Sequence, residues 1–330
     1  MQSVIRGAGV VVLAALSIAA AIPTAVHAQT WPTKPIRAIN PFPAGGGVDA
    51  FARPWAAKIS QSGFLGQSVF IENQGGAGGT VGAGNAARAT PDGYTVFAGA
   101  IHHTIAESAY AKLPYNIERD FIPITVLAYV PQVMVDNSKH SVKTIKELVD
   151  YAKAHPNKLN FGSPGAGTAH HLAMELFMKE TGIKMVHVPY KGAGPMMQDF
   201  LGGTIDLVFD GMGTSAAQIK GGKIRALAVA TPQRLPGFPD VPTMDEAGVP
   251  GMIVSTWYAL WAVKGTPPEI VDRIYKETVK VLNEPDIKEI WASAASAPGG
   301  LPPADFGKFV HNEVIRWAKV VKDAGVRLDP

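Results

Sequence analysis

The side chains and turns in this 330-residue chain that could do chemistry fall into two sets: glycine-rich turns and paired histidines. Pro41-Phe42-Pro43-Ala44-Gly45-Gly46-Gly47-Val48-Asp49 follows an apolar run at 36–40 and precedes a helix-like run at 50–61. Three consecutive glycines permit positive φ and close approach of a ligand to the backbone. The helix that follows turns its free N–H groups and positive dipole end toward the same place, which makes an anion site without a cationic side chain. Asn160-Phe161-Gly162-Ser163-Pro164-Gly165-Ala166-Gly167-Thr168 repeats this grammar in the other half of the chain, ahead of a helix over 170–179. Two such loops facing each other would hold one anion between them.

The histidines lie at His102-His103 and His170-His171, with Glu175 four residues beyond His171. Metal ligation would need convergent spacing, but there is no His-Glu-x-x-His, and adjacent histidines point different ways on a helix or a strand. A second reading has His102 or His103 meeting the far end of a ligand. Gly162-Ser163-Pro164-Gly165 is not a Gly-x-Ser-x-Gly elbow, and the proline removes the N–H an oxyanion hole would use. Gly76-x-Gly78-x-x-x-Gly82 misses the dinucleotide spacing, so its glycines are read as close packing of helix on strand. No cofactor is expected. Tyr190 and Lys191 either line a cleft or cap a domain edge, and Trp257, Tyr258 and Trp261 read as hinge and core residues.

The elements that must position these groups alternate in type. Strands are expected at 36–40, 69–73 and 95–99, with helices at 51–61 and 81–89 and a further run over 120–128. A second unit follows, with strands at 132–136, 159–162, 185–188, 206–210 and 226–230 and a helix at 144–155 whose stripe is Ile145, Leu148, Val149 and Ala152. The apolar, aromatic run at 253–263 reads as a strand returning to the first unit, and helices at 268–282, 285–295 and 303–324 close the chain. The expected class is α/β: two lobes, each a mixed sheet flanked by helices, joined by two crossings as a clamshell. Lobe 1 is residues 29–128 plus 255–330, and lobe 2 is 129–254, since chains of this length divide into more than one core.

Composition narrows the function. With 47% hydrophobic and 17% charged residues and a formal charge of +3, the chain is globular, and its dispersed basic residues form no block for nucleic acid. The N-terminus reads as a cleavable secretory signal over residues 1–28: Arg6, an apolar run over 8–21, then Val26-His27-Ala28 before Gln29. The run is shorter than the roughly 20 residues a bilayer needs. Zero cysteines exclude disulfides, thiol catalysis and attachment of lipid to a cysteine, and suit a periplasmic protein.

Many short motifs in one order then carry a resemblance over essentially the whole mature chain. They include Trp31-Pro32-Thr33-Lys34-Pro35-Ile36-Arg37, Pro41-Phe42-Pro43-Ala44-Gly45-Gly46 with Asp49, Glu72-Asn73 before Gly76-Ala77-Gly78-Gly79, and Pro91-Asp92-Gly93-Tyr94-Thr95. They continue through Leu113-Pro114-Tyr115, His187-Val188-Pro189-Tyr190-Lys191-Gly192, Leu201-Gly202-Gly203, Asp240-Val241-Pro242-Thr243 and Glu246-Ala247-Gly248. The chain resembles the Bug-type periplasmic solute receptors of tripartite tricarboxylate transporters. The resemblance implies a monomeric receptor of the two-lobed periplasmic-binding-protein (Venus flytrap, type II-like) fold, not an enzyme, that closes on a small organic acid and presents it to a membrane permease. The acid could be a di- or tricarboxylate, an aromatic carboxylate or an acidic amino acid. Carried over, ligand contacts fall on Phe42, Ala44, Gly45, Gly46 and Asp49 from one lobe and Ser163, Gly165, Gly167 and Thr168 from the other, with His102, His103, Tyr190 and Asp210 lining the cleft. Paired histidines at both places, and Asp210-Gly211-Met212-Gly213, are where this chain differs from the family pattern. The rival readings are a secreted enzyme acting on the same acids and a receptor that feeds a sensor kinase.

Overall fold

A computed structural model of the chain describes residues 31–137, 139, 142–325, 327 and 328. The expected leader lies outside them. From Trp31 the chain forms β1 (Ile36–Asn40), α1 (Gly47–Ile59), β2 (Val69–Asn73), a single 3-10 turn at Ala77–Gly79, α2 (Thr80–Ala87), β3 (Thr95–Ala100) and α3 (His102–Ala109). β1 lies between β2 and β3 and runs parallel to both, with Ile36 opposite Val69 and Arg37 opposite Thr95. Parallel strands covered on both faces need apolar residues throughout, and β3 is buried at every position.

The next strand, β4 (Phe121–Asp136), is 16 residues long. The sequence suggests two segments here, 120–128 and 132–136, and neither Pro123 nor Pro131 has an N–H to donate to a ladder. Both prolines fall where the pairing is interrupted, so one strand runs through. Pro123 sits at a register shift, and Pro131 is the last pair with the returning strand, one residue before pairing with β7 begins at Gln132. Beyond β4 come α4 (Ile145–Ala154), β5 (Asn160–Ser163), α5 (Ala169–Thr181), β6 (Val186–Pro189), α6 (Ala193–Gly202), β7 (Leu207–Gly211), α7 (Met212–Lys220) and β8 (Arg225–Val229). The chain then returns as β9 (Ser255–Val263) and ends in α8 (Pro268–Asn283), α9 (Pro285–Ser293), β10 (Ala297–Pro298) and α10 (Pro303–Ala324).

β4 therefore serves two groups of strands. Its first part pairs antiparallel with β9, which also pairs antiparallel with β3, giving the order β2-β1-β3-β9-β4. Its last part pairs with β7 and β8, and the order continues β4-β7-β5-β6, with β5 parallel to both of its neighbours. The returning strand expected from the apolar run is thus the one that fills the gap between β3 and β4.

The closing helices cover β9. On one side Phe306, Val310, Trp317 and Val321 of α10 pack on Trp257 and Trp261, and the buried carboxylate of Glu313 accepts from the indole N–H groups of Trp257 at 3.0 Å and Trp317 at 3.2 Å. On the other side α1 sits under α8, where the indole N–H of Trp55 donates to Thr278 Oγ1 at 3.1 Å. Burying these large side chains with their polar atoms satisfied fixes α1, and hence the turn before it, against the sheet.

Candidate functional site

Six helices begin beyond the carboxyl ends of parallel strands: α1 after β1, α2 after β2, α3 after β3, α5 after β5, α6 after β6 and α7 after β7. In open α/β sheets this is where ligands bind. Four of those helix starts meet at one small cavity. It is lined by Phe42 and Gly46–Val48 at the start of α1, by His102, the first residue of α3, by Pro164 and His170 at the start of α5, by Ala193, the first residue of α6, and by Tyr258 of β9. The first N–H groups of each helix have no partner within the helix, so four positive dipole ends from both strand groups converge here.

The first loop is built around Asp49. Its carboxylate is buried and accepts from Asn40 Nδ2 at 2.7 Å, Gly45 N at 2.8 Å, Arg53 Nε at 2.9 Å and Asn73 Nδ2 at 3.1 Å. Asn73 Nδ2 also lies 2.8 Å from the carbonyl of Phe42. Asp49 is thus committed to holding the turn, and Ala44 and Gly45 lie outward of the cavity on a depression of about 600 Å³ between α1, α6 and α7. A Cβ on Gly47 would fall 1.9 Å from the hydroxyl of Tyr258, so this position has room for nothing larger than hydrogen.

The second loop is held by its own residues together with His171 of α5 and His187 of β6. Ser163 is fully buried, its Oγ lying 2.7 Å from His187 Nε2 and 3.1 Å from the carbonyl of Gly165. Thr168 caps α5, and its hydroxyl also donates to the Gly165 carbonyl at 2.8 Å. The N–H of Gly167 donates to His171 Nδ1 at 3.1 Å, which places the ring proton on Nε2, 3.4 Å from Glu175 Oε1. His171 stacks on His187 with ring centroids 4.0 Å apart. Ser163, Gly165, Gly167 and Thr168 therefore shape the loop, and Pro164 and His170 are the residues it offers to the cavity.

A third loop, Pro189-Tyr190-Lys191-Gly192-Ala193-Gly194, has the same strand–glycine–helix grammar, and Ala193 is its contribution. It touches the first loop closely: a Cβ on Gly194 would lie 2.6 Å from the carbonyl of Ala44, and one on Gly192 2.7 Å from Pro43 Cδ. Tyr190 turns away, donating to Asp199 Oδ2 at 2.8 Å, and desolvation together with that acceptor pushes its hydroxyl up to about 12.

Each histidine pair splits as adjacent residues on a helix must. His102 faces the cavity, edge-on to Phe42 at 5.4 Å and to His170 at 5.3 Å between ring centroids. His103 points into the core against Phe97, with Nδ1 2.8 Å from the Ala100 carbonyl. His170 is buried at the cavity with Nε2 3.8 Å from Asp210 Oδ1, whereas His171 supports the second loop from behind. Asp210 is fully buried and its Oδ2 accepts from the hydroxyls of Thr214 and Ser215 in the first turns of α7. Among the described residues, no group of three His, Cys, Asp or Glu side chains is placed to hold a metal ion.

Of the residues expected at the site, the structure brings Phe42, Gly46 and His102 to the cavity, with Asp210 behind His170. The residues that sequence reasoning left out are Gly47, Val48, Pro164, His170, Ala193 and Tyr258. A larger groove of about 920 Å³ lies elsewhere, between α4 and residues 240–250. Its one helix start is already capped by Thr144 and the Glu147 carboxylate, so it lacks the convergence of free amides seen at the small cavity.

Burial lowers four rings near the site, His102, His103, His170 and His187. It brings His103 down to about 4 and, with His171 beside it, His187 to about 4. His102 lies well below its ordinary value and His170 below its own, the latter partly offset by Asp210. The folded state therefore binds fewer protons than the unfolded chain between about pH 4 and the usual 6.5. Stability from these rings is complete above that window and falls as pH drops through it. His103 alone is expected to cost about 2 kcal/mol on going from pH 7 to pH 5. Urea midpoints at the two pH values check this, and equal midpoints would contradict neutral buried rings.

The strand order, the helix starts at the carboxyl ends and the cavity where four of them meet are those of a two-lobed periplasmic-binding-protein fold. Residues 52–326 match the family described as "Tripartite tricarboxylate transporter family receptor", and the chain belongs to it. The chain is similar to the periplasmic binding protein BugD, at 34% identity and a TM-score of 0.85 over 91% of this chain and 100% of that one. It is similar to Rpa4515 of R. palustris, solved with adipate, at 34% identity and a TM-score of 0.87 over the same shares. It is also similar to MatC of Rhodopseudomonas palustris, solved with malate, at 30% identity and a TM-score of 0.82 over 88% of this chain and all of that one. Among the described residues no helix is long and apolar enough to cross a membrane.

Proposed function

We propose that this chain is a secreted periplasmic receptor that closes on a small organic carboxylate and hands it to a tripartite tricarboxylate-type membrane permease. The observation that carries the reading is the meeting of four helix starts, from both strand groups, on one buried cavity that no Lys or Arg among the described residues lines. Such a site holds an anion through backbone amides and dipoles. The carboxylate sits against the amides of Gly46, Gly47 and Val48 and the starts of α5 and α6, with Phe42, His102 and Tyr258 as walls. Relatives solved with adipate and malate support a carboxylate as the ligand class.

The cavity is about 20 Å³, room for roughly one water molecule. An organic acid needs more, so entry requires the contact between the first and third loops to part and close again. The lobes that move are residues 29–128 with 255–330, and 129–254. The start of β9 at Ser255 supports the second boundary, and the change of β4 from pairing with β9 to pairing with β7 after Pro131 supports a first crossing a few residues beyond 128. Closure wins when the ligand satisfies amides from both lobes at once. A binding role rather than catalysis at the cavity is supported by the placement of Ser163, whose buried hydroxyl engages His187 of β6 and the Gly165 carbonyl away from the residues that line the cavity.

A thermal-shift screen of the mature protein against di- and tricarboxylates, aromatic acids and acidic amino acids tests the reading. A ligand at 100 times its Kd stabilises the folded state by about 2.7 kcal/mol, so at least one acid should raise the melting temperature by several degrees and be recovered unchanged. No shift with any acid would sink the receptor reading, and conversion of the acid would favour an enzyme.

A further inference from the structure

We propose that the acid this receptor selects carries a hydrogen-bond donor at its inner end, a hydroxyl or an amine, rather than a second carboxylate. The proposal rests on the receptor reading above. Its basis is the polar group left over once the helix amides have been assigned to the ligand's carboxylate.

Three buried side chains beside the cavity contribute atoms that have no hydrogen-bond partner among the described residues: His102 Nδ1, His170 Nδ1 and Asp210 Oδ1. They come from different elements, His102 from α3, His170 from α5 and Asp210 from the end of β7. Leaving such atoms unpaired costs about 1–3 kcal/mol each, so a structure that retains three of them together has a use for them. Asp210 Oδ2 is already used by Thr214 and Ser215, which leaves Oδ1 without a hydrogen-bond partner, 3.8 Å from Nε2 of the cavity-lining His170.

The chemistry of that partner follows from counting donors and acceptors. Each neutral imidazole brings one donor and one acceptor, and the carboxylate brings acceptors only, so the cluster is short of donors. Burial keeps both rings neutral, so neither supplies a cation. The guanidinium of Arg53 on α1 is paired with Asp49 and lines the outer depression. A second carboxylate at the inner end would add acceptors and a like charge beside Asp210, with no cation to compensate either. A hydroxyl or amine would supply the missing donor. Tyr258, whose hydroxyl burial and Asp210 together hold protonated, can donate to the lone pair of a ligand hydroxyl or accept from a ligand ammonium.

Calorimetry on the full mature chain with acids matched in length tests this directly. The sets are 4-hydroxybutyrate and 4-aminobutyrate against succinate, 6-hydroxyhexanoate and 6-aminohexanoate against adipate, and 4-hydroxybenzoate against terephthalate. In whichever set binds, a donor-ended member is expected to bind at least about tenfold more tightly than the diacid, since a site built for a donor rejects the analogue lacking it. Asp210→Asn, which keeps the shape and removes the charge, should bring that ratio to within about threefold or invert it. A wild-type protein that binds the diacid equally well or better overturns the proposal and leaves the receptor reading standing, as does an unchanged ratio in Asp210→Asn. If that variant fails to fold, the wild-type ratio decides alone. Binding of none of these acids at millimolar concentration overturns the carboxylate reading and this proposal with it.

Discussion

Asp49→Ala is expected to destabilise the protein by about 3 kcal/mol and to weaken acid binding at least about tenfold. The carboxylate is 4% exposed and accepts four hydrogen bonds, from two asparagine side chains, one backbone amide and Arg53. Which of these dominates can be decided by magnitude. Arg53 is 48% exposed on its side chain, so its ion pair contributes about 0.5 kcal/mol. Asn40 is fully buried and is left without an acceptor for Nδ2, a loss of about 1–3 kcal/mol, and Asn73 loses one of its two. Arg53→Gln should therefore cost less than about 1 kcal/mol while Asp49→Ala costs several times that. Urea denaturation of both variants checks the ratio, and comparable losses would mean that the ion pair, rather than the buried hydrogen bonds, holds the turn. Binding suffers with stability because the same bonds aim the amides of Gly46–Val48.

Much of the site is legible in the sequence. The first two glycine loops read as anion turns because strand, glycine and helix start are local features, fixed by residues within a dozen positions of each other. Both loops do end parallel strands and open helices. The third loop, at Gly192–Gly194, has the same local grammar, and its part in the site is missed by a reading that stops at two loops, although Ala193 lines the cavity. His170 is legible too, as the second residue of a helix opened by a glycine loop, which points it where the helix N-terminus points.

The rest depends on long-range pairing. Tyr258 reads as core, and it is, stacking on Phe51 with centroids 5.4 Å apart; its hydroxyl reaches the cavity because β9 inserts between β3 and β4, setting Tyr258 opposite both Ala100 and Ala128. No spacing within the strand discloses that register. Likewise Asp49, Ser163 and Thr168 carry the residue types that recognise ligands, and only their hydrogen bonds show that they are spent on shaping loops.

Gly46→Val is expected to abolish acid binding, by more than about a hundredfold, while leaving the fold nearly intact. Gly46 has φ −87° and ψ −179°, a conformation open to any residue, and a Cβ there meets the Pro43 carbonyl at 3.6 Å and Ala193 Cβ at 3.8 Å, ordinary contacts. Valine is a poorer helix cap than glycine by up to about 1 kcal/mol, so the stability loss stays small. Its two methyl groups, however, extend from a residue that lines the cavity toward Ala193 across it. Gly167→Val is a different case. Gly167 has φ +74° and a Cβ there would lie 2.4 Å from Leu328 Cδ1, so that substitution disturbs the fold before it touches the ligand. The decisive measurement is a calorimetric titration of the wild-type protein and Gly46→Val with the acid giving the largest thermal shift, on samples whose circular dichroism and melting temperatures agree to within a few degrees. Loss of all measurable heat in the variant is the predicted result; an affinity equal to that of the wild type would show that the acid binds somewhere other than between these loops.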